Sequence, residues 1–197
     1  MRLNKEEAFT GLEAAIVLIA FVVVAAVFSY VVLGAGFFTT QKAQETVYSS
    51  VDMASSSIEI LGNVYGVNTT PSGTADRLMD AVRFTVGLTA GGSAVDFTQT
   101  TITYSTSRNV SKLERAADTL IDQDMVATGK WGVIRMANND SIDLLLENQE
   151  QFTILVNPID RIFANQDFEI QIRPPVGAAY SITRSVPSKI SGISALY

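Results

Sequence analysis

The chain has 197 residues, a net charge of −6 and neither cysteine nor histidine, with 17% of its residues charged and 47% hydrophobic. Without those two residue types there is no thiol nucleophile, no Ser-His-Asp triad and no zinc site of the usual kind, so an enzyme would have to work through carboxylates, Lys or Tyr alone. The mild acidity speaks against nucleic acid as a partner, because that function shows a basic patch.

Residues 1–11, MRLNKEEAFTG, form a short polar leader. Residues 12–38 read LEAAIVLIAFVVVAAVFSYVVLGAGFF, and Glu13 is their one charged residue. Beyond Glu13 about 25 residues follow without a charge, and as a helix they reach about 37 Å, enough to cross a bilayer with some tilt. The run is apolar on every face, so its helix must be buried in lipid or among other helices. It lacks the flanks of a removable secretory signal. Gly34 and Gly36 each cost roughly 1 kcal/mol against Ala in a helix interior, and a bend or local melting is expected there.

The character changes over 39–61. Ala43, Val47, Val51, Ala54, Ile58 and Leu61 recur at helical period, with Gln44, Glu45, Asp52 and Glu59 between them. The helix is therefore expected to continue as an amphipathic stalk and to stop at Gly62, about 75 Å from its start at residue 12.

Residues 62–197 read as β-rich. Val82, Phe84, Val86 and Leu88 alternate with polar or small residues, as do Ile102 and Tyr104, and Phe168, Ile170 and Ile172. Further strands are expected at Trp131–Met136, Ser141–Leu146, Phe152–Val156 and Ala179–Arg184. Turn signals separate them at Pro71-Ser72-Gly73, Gly91-Gly92, Asn138-Asn139-Asp140, Asn157-Pro158 and Pro174-Pro175. Lys112–Asp122 reads as a short helix or an irregular loop. Ser and Thr cluster at 49–57 and 68–74, the expected junction of stalk and head. The whole predicts an α+β chain, a long hydrophobic N-terminal helix followed by an antiparallel, Ig-like β-sandwich head.

The leader ending in Gly11, the apolar run from Leu12, the long helix and the β-rich head together resemble the archaellins, the flagellins of the archaeal swimming filament. The C-terminal strands QFTILVNP and FEIQIRPPVGAAYSITRSVP resemble that family as well. The resemblance implies three regions: a class III signal peptide over 1–11, a filament-core helix over 12–61 and an outer β-domain over 62–197. It implies cleavage between Gly11 and Leu12 by a prepilin-peptidase-like signal peptidase, which keeps the apolar run in the mature protein. Glu13 then stands second, whereas related type IV pilins carry their acidic residue at the fifth position. Assembly is implied to run through Glu13, Ile16, Ile19, Val23, Val27, Val31 and Phe37, giving a homopolymer or a copolymer with other archaellins. The Glu13 carboxylate could meet the α-amino group of a neighbouring Leu12, and it suits a helix N-terminus electrostatically. Other implied partners are a membrane assembly platform with its ATPase and an oligosaccharyltransferase. The precursor is implied to sit transiently in the membrane and the mature chain in the extracellular filament.

Three N-glycosylation sequons begin at Asn68, Asn109 and Asn139, all in expected turns, and Asn68 and Asn139 are expected to be the most exposed. Asp122-Gln123-Asp124 offers hard oxygen ligands but lacks the rest of a calcium loop and reads as solvated surface. Trp131 between Gly129 and Gly132 reads as core, and Gly91-Gly92 lacks the following residues of a phosphate loop. No catalytic residue, cofactor or metal is expected. Three other readings stay open: an adhesive type IV-like archaeal pilin, a binding module on a single-pass anchor, and a membrane-tethered enzyme.

Overall fold

The computed structural model describes residues 5–68 and 78–197. The chain divides into two compact units, Met1–Ser50 and Val51–Tyr197. The first four residues of the leader, the turn signal at Pro71-Ser72-Gly73 and most of the second Ser/Thr cluster lie outside the described residues.

The first unit consists of α1 (Lys5–Ser55), whose last turn belongs to the second unit. The helix runs unbroken through Gly34 and Gly36, so the expected melting is not seen there. It starts inside the leader and ends at Ser55, six residues short of the stop read from the sequence at Leu61. Serines at 55–57 are weak helix formers, and Ile58 is claimed by the sheet instead. Residues Ile58–Ile60 form β1, in which Ile58 pairs with Leu88 and Ile60 with Val86. The apparent continuation of the apolar stripe is thus an accident of spacing. Ile58 is buried in the head, and Leu61 packs over Gly87. Gly62, at φ +78°, does turn the chain, but it does so after a strand.

The second unit carries the remaining strands. They are β2 (Val64–Val67), β3 (Leu78–Met79), β4 (Ala81–Leu88), β5 (Val95–Asp96), β6 (Thr101–Thr106) and β7 (Val110–Arg115). After these come β8 (Lys130–Ala137), β9 (Leu145–Leu146), β10 (Gln151–Asn157) and β11 (Ile162–Phe163). The last three are β12 (Asp167–Arg173), β13 (Tyr180–Ser185) and β14 (Ile193–Leu196). Among the described residues ten strands join one sheet in the order β13-β12-β6-β7-β8-β10-β4-β2-β14, with β1 pairing the C-terminal end of β4 beyond the residues that β2 pairs. All the neighbours are antiparallel except β7 and β8, which pair in parallel. The two ends of the path meet where the Ser185 N–H donates to the Tyr197 carbonyl at 2.8 Å. The head is therefore a nearly closed sheet wrapped around one main core, with a second, smaller cluster of Val67, Ala81, Val126 and Leu155, where two stacked sheets had been expected. The α+β arrangement of long helix and mostly antiparallel head is the one read from the sequence.

The alternations seen in the sequence place the core. Val82, Phe84 and Val86 of β4 face inward beside Phe152, Ile154 and Val156 of β10, with Phe168, Ile170 and Ile172 of β12 completing the wall. Phe97 sits at the centre, edge-on to Trp131 at 6.4 Å and to Phe152 at 5.5 Å between ring centroids. Two expectations fail locally. Lys112–Arg115 is neither helix nor loop but part of β7, because Leu113 is drawn into the core opposite Ile102. Ser141–Leu146 yields only the two residues of β9. Ile142 holds a left-handed backbone at φ 51°, which breaks an extended run. Near the helix exit Gly177, at φ 104°, lies so close that a Cβ there would fall 2.0 Å from the Ser56 carbonyl oxygen.

After β5 the Asp96 carboxylate closes the turn into β6. It accepts from the Thr98 hydroxyl at 2.6 Å, the Thr98 amide at 2.8 Å and the Gln99 side chain at 2.9 Å. The Thr98 hydroxyl holds this carboxyl below its ordinary value of 3.8; burial opposes it, and Gln99, the Thr98 amide and the Arg115 charge add to the lowering. A depressed native pKa stabilises the fold above the unfolded value and is lost as pH falls through the native one. Asp96→Asn is accordingly expected to lower stability at neutral pH and to narrow the gap to wild type below about pH 4. Acid unfolding of both chains in detergent, followed by circular dichroism, checks this.

Candidate functional site

The feature with no counterpart in an ordinary water-soluble domain is the surface of α1. From Leu12 to Phe38 every large apolar side chain is exposed, from Val32 at 53% to Phe21 at 76%, and Tyr30 reaches 80%. Among the described residues α1 is the one helix long and apolar enough to cross a membrane. A solvated stripe of this size is far above what a monomer in water tolerates, so it needs lipid or other helices around it.

At about 100° per residue, Ile16, Ile19, Val23, Val27, Val31 and Phe37 fall within an arc of about 120°. The structure places these six on one side of the helix but does not set that side apart. Val24 and Phe28, on other faces, are as exposed as Val23 and Val27. The helix is a rod to be surrounded on all sides.

Gly11 and Leu12 lie within α1, in its exposed N-terminal part. A Cβ at Gly11 would meet nothing within 4 Å, so packing gives no reason for glycine at a helix-interior position that costs helix stability. Glu13 lies two turns inside the uncut helix, which starts at Lys5, so the macrodipole benefit expected for it exists only once the leader is gone.

Sequence reasoning missed a set of self-satisfied hydroxyls further along. Thr39, Thr40, Thr46 and Ser50 each donate to the carbonyl four residues earlier, at 2.7–2.9 Å. Such back-bonding leaves these four hydroxyls with no unmet donor, within a stretch that still carries the exposed Lys42–Glu45 ion pair. The available signal was the position of Thr and Ser on a segment otherwise read as helical.

The sequons differ from expectation. Asn109 is exposed in the β6–β7 turn, and its Nδ2 donates to the Asp160 carboxylate at 2.8 Å. Asn139 is half-buried, its Nδ2 lying 3.4 Å from the Asp143 carbonyl. Asn68 is half-buried too, and its Thr69 and Thr70 lie outside the described residues. The order of exposure is thus the reverse of the one read from turn chemistry. Trp131 is core at 1% exposure. Asp122 precedes a 3-10 turn over Gln123–Met125 and Asp124 lies within it, and no three Asp or Glu side chains gather to hold a metal among the described residues.

Known proteins give this architecture a family. The family model for the archaeal-type flagellins matches residues 8–184. Probable flagellin 1 of Archaeoglobus fulgidus is 40% identical, over 98% of this chain and 97% of that protein. The archaeal flagellum of Methanospirillum hungatei strain JF1 supplies a solved structure with TM-score 0.67 and 30% identity, covering 94% of this chain and 98% of that one. The crystal structure of archaeal flagellin FlaB1 from Methanocaldococcus jannaschii, at 17% identity and TM-score 0.55 over 71% of this chain and 95% of that one, shares the fold. With its apolar helix, its β-head and a family match over most of its length, the chain belongs to the archaeal-type flagellins.

Proposed function

We propose that this chain is a structural subunit of the archaeal swimming filament, made as a membrane-inserted precursor and working outside the cell. The observation that carries the reading is the helix exposed on every face, together with its likeness to a chain of the Methanospirillum hungatei flagellum over nearly the whole length. Sister helices bury the apolar run in the filament core, and the β-head forms the outer layer. At about 25 cal/mol per Å² such burial holds a polymer without covalent links. The relatives being flagellins, the adhesive pilin reading is not favoured. The subunit transmits torque as part of a stiff polymer and has no catalytic role.

Maturation on this reading cuts Gly11–Leu12 by a prepilin-peptidase-like protease. The exposed glycine, unexplained by packing, supports the site. Cleavage removes the polar leader and leaves a new α-amino group at Leu12 beside Glu13, where the carboxylate meets it or that of a neighbour. A membrane platform and its ATPase then feed the subunit into a homopolymer or a copolymer with sister flagellins. An oligosaccharyltransferase acts on the sequons, with Asn109 the most accessible. The mature chain is expected to start at Leu12 by mass spectrometry of sheared filaments. Gly11→Val is expected to leave uncut chain in the membrane fraction and no filaments. An intact Met1 in assembled filaments overturns the cleavage site.

A further inference from the structure

We propose that the outer face of the head carries a binding cleft for a carboxylated saccharide, a function beyond that of a passive filament wall. The cleft has a volume of about 390 Å³ and lies over the middle of β2, β4, β10 and β8. That size is within the range of about 300–1,000 Å³ found for small-ligand pockets.

Its chemistry comes from the outward half of each strand's alternation. Arg83 of β4 stands opposite Tyr65 of β2, and its guanidinium lies over the Tyr65 ring at 5.5 Å. Its Nη1 also comes within 3.5 Å of Gln123 Oε1, so the side chain is positioned from two sides. Arg135 of β8 reaches the same cleft from the exposed side. Neither arginine forms an ion pair with a carboxylate among the described residues, where the three pairs found are Lys42–Glu45, Lys130–Glu114 and Arg161–Asp80. On a chain of net charge −6, two guanidiniums converge in this concavity against one carboxylate, Asp122, with which neither is paired, and they make it a site for an anion.

The rest of the lining narrows the class. Thr85 and Thr153 hold their hydroxyls 3.1 Å apart in the floor, and Asn63 and Asp122 stand at the rim. A bare phosphate asks only for cations and N–H groups, and it offers no donor to the Asp122 carboxylate or to the threonine hydroxyls as acceptors. A sugar ring presents hydroxyls, which both donate and accept, and these use the amides, the threonines and Asp122 together. A single carboxylate on that ring takes the forked guanidinium donors. The ligand therefore combines a hydroxylated ring with one carboxylate, as in a uronic acid residue. Such sugars come either from an external polysaccharide or from a glycan on a neighbouring subunit.

The test uses the detergent-solubilised full-length chain, whose binding does not depend on polymerisation, with oligogalacturonate as probe and neutral dextran as control. Calorimetry is expected to show saturable binding of the first that weakens with salt, and none of the second. Arg83→Gln and Arg135→Gln are each expected to weaken it about tenfold or more. Arg135→Gln, at an exposed position, decides the matter if Arg83→Gln disturbs the fold by circular dichroism. Absence of binding, equal binding of dextran, or undiminished binding by Arg135→Gln overturns the proposal. Intact filaments then identify the source. Binding without treatment points to an external polysaccharide, and binding only after their own sugars are stripped points to a neighbour's glycan.

Discussion

Val23→Asp is expected to abolish filaments while leaving the β-head folded. Val23 lies in the middle of the apolar run, with about ten apolar residues on either side, so in a bundle of sister helices it is far from water. An unpaired carboxylate there keeps a desolvation penalty of several kcal/mol, and a polymer repeats that penalty at every subunit. In the precursor the same charge costs about 2.5–3.5 kcal/mol at the bilayer centre, less than the rest of the run supplies, so membrane insertion survives. The measurement is electron microscopy of sheared cells beside an immunoblot of the membrane fraction. The expected pattern is no filaments with the protein retained in membranes. Val23→Ile, which keeps an apolar side chain of similar shape, is expected to assemble. Normal filaments from Val23→Asp would show that this part of α1 faces water in the assembly.

Trp131→Ala is expected to cost the head about 3–5 kcal/mol. The indole is 1% exposed and meets the ring of Phe97, which in turn meets Phe152, so truncation opens a void at the centre of the nearly closed sheet. Single domains hold only about 5–15 kcal/mol in total, which makes this loss a large share. Thermal melting of the solubilised chain, followed by near-ultraviolet circular dichroism, is expected to show a much lower transition. Met125→Ala, on a side chain 68% exposed, is the control and is expected to stay within about 0.5 kcal/mol of wild type. A Trp131→Ala melt equal to that of the control would mean that the core does not depend on this ring.

Much of this was legible in residue order. The apolar run announced itself by length and by the absence of charge, and β4, β10 and β12 by period-two alternation. The parts that were not legible share a cause. β1, β2 and β14 are short strands of ordinary composition, and they are strands because distant partners fill their hydrogen bonds. Ile58 is the clearest case: its spacing from Ala54 and Val51 fits a helix, and its pairing with Leu88 makes it a strand. The cleft at Arg83 was likewise invisible, since Tyr65, Arg83, Gln123 and Arg135 are scattered along the chain and meet only through strand register. The sequons misled for a related reason, as turn residues report where the chain reverses but not which side chains are then drawn inward.

By itself, the sequence determined that this protein has a segment that cannot remain in water, followed by a β-rich head, because hydrophobicity and its period are local properties of the chain. Only the tertiary structure decided where the helix hands over to the sheet, that one sheet wraps almost into closure, and which polar side chains converge on its outer face. Those are outcomes of long-range pairing, in which a residue's partner, rather than its own preference, sets its conformation.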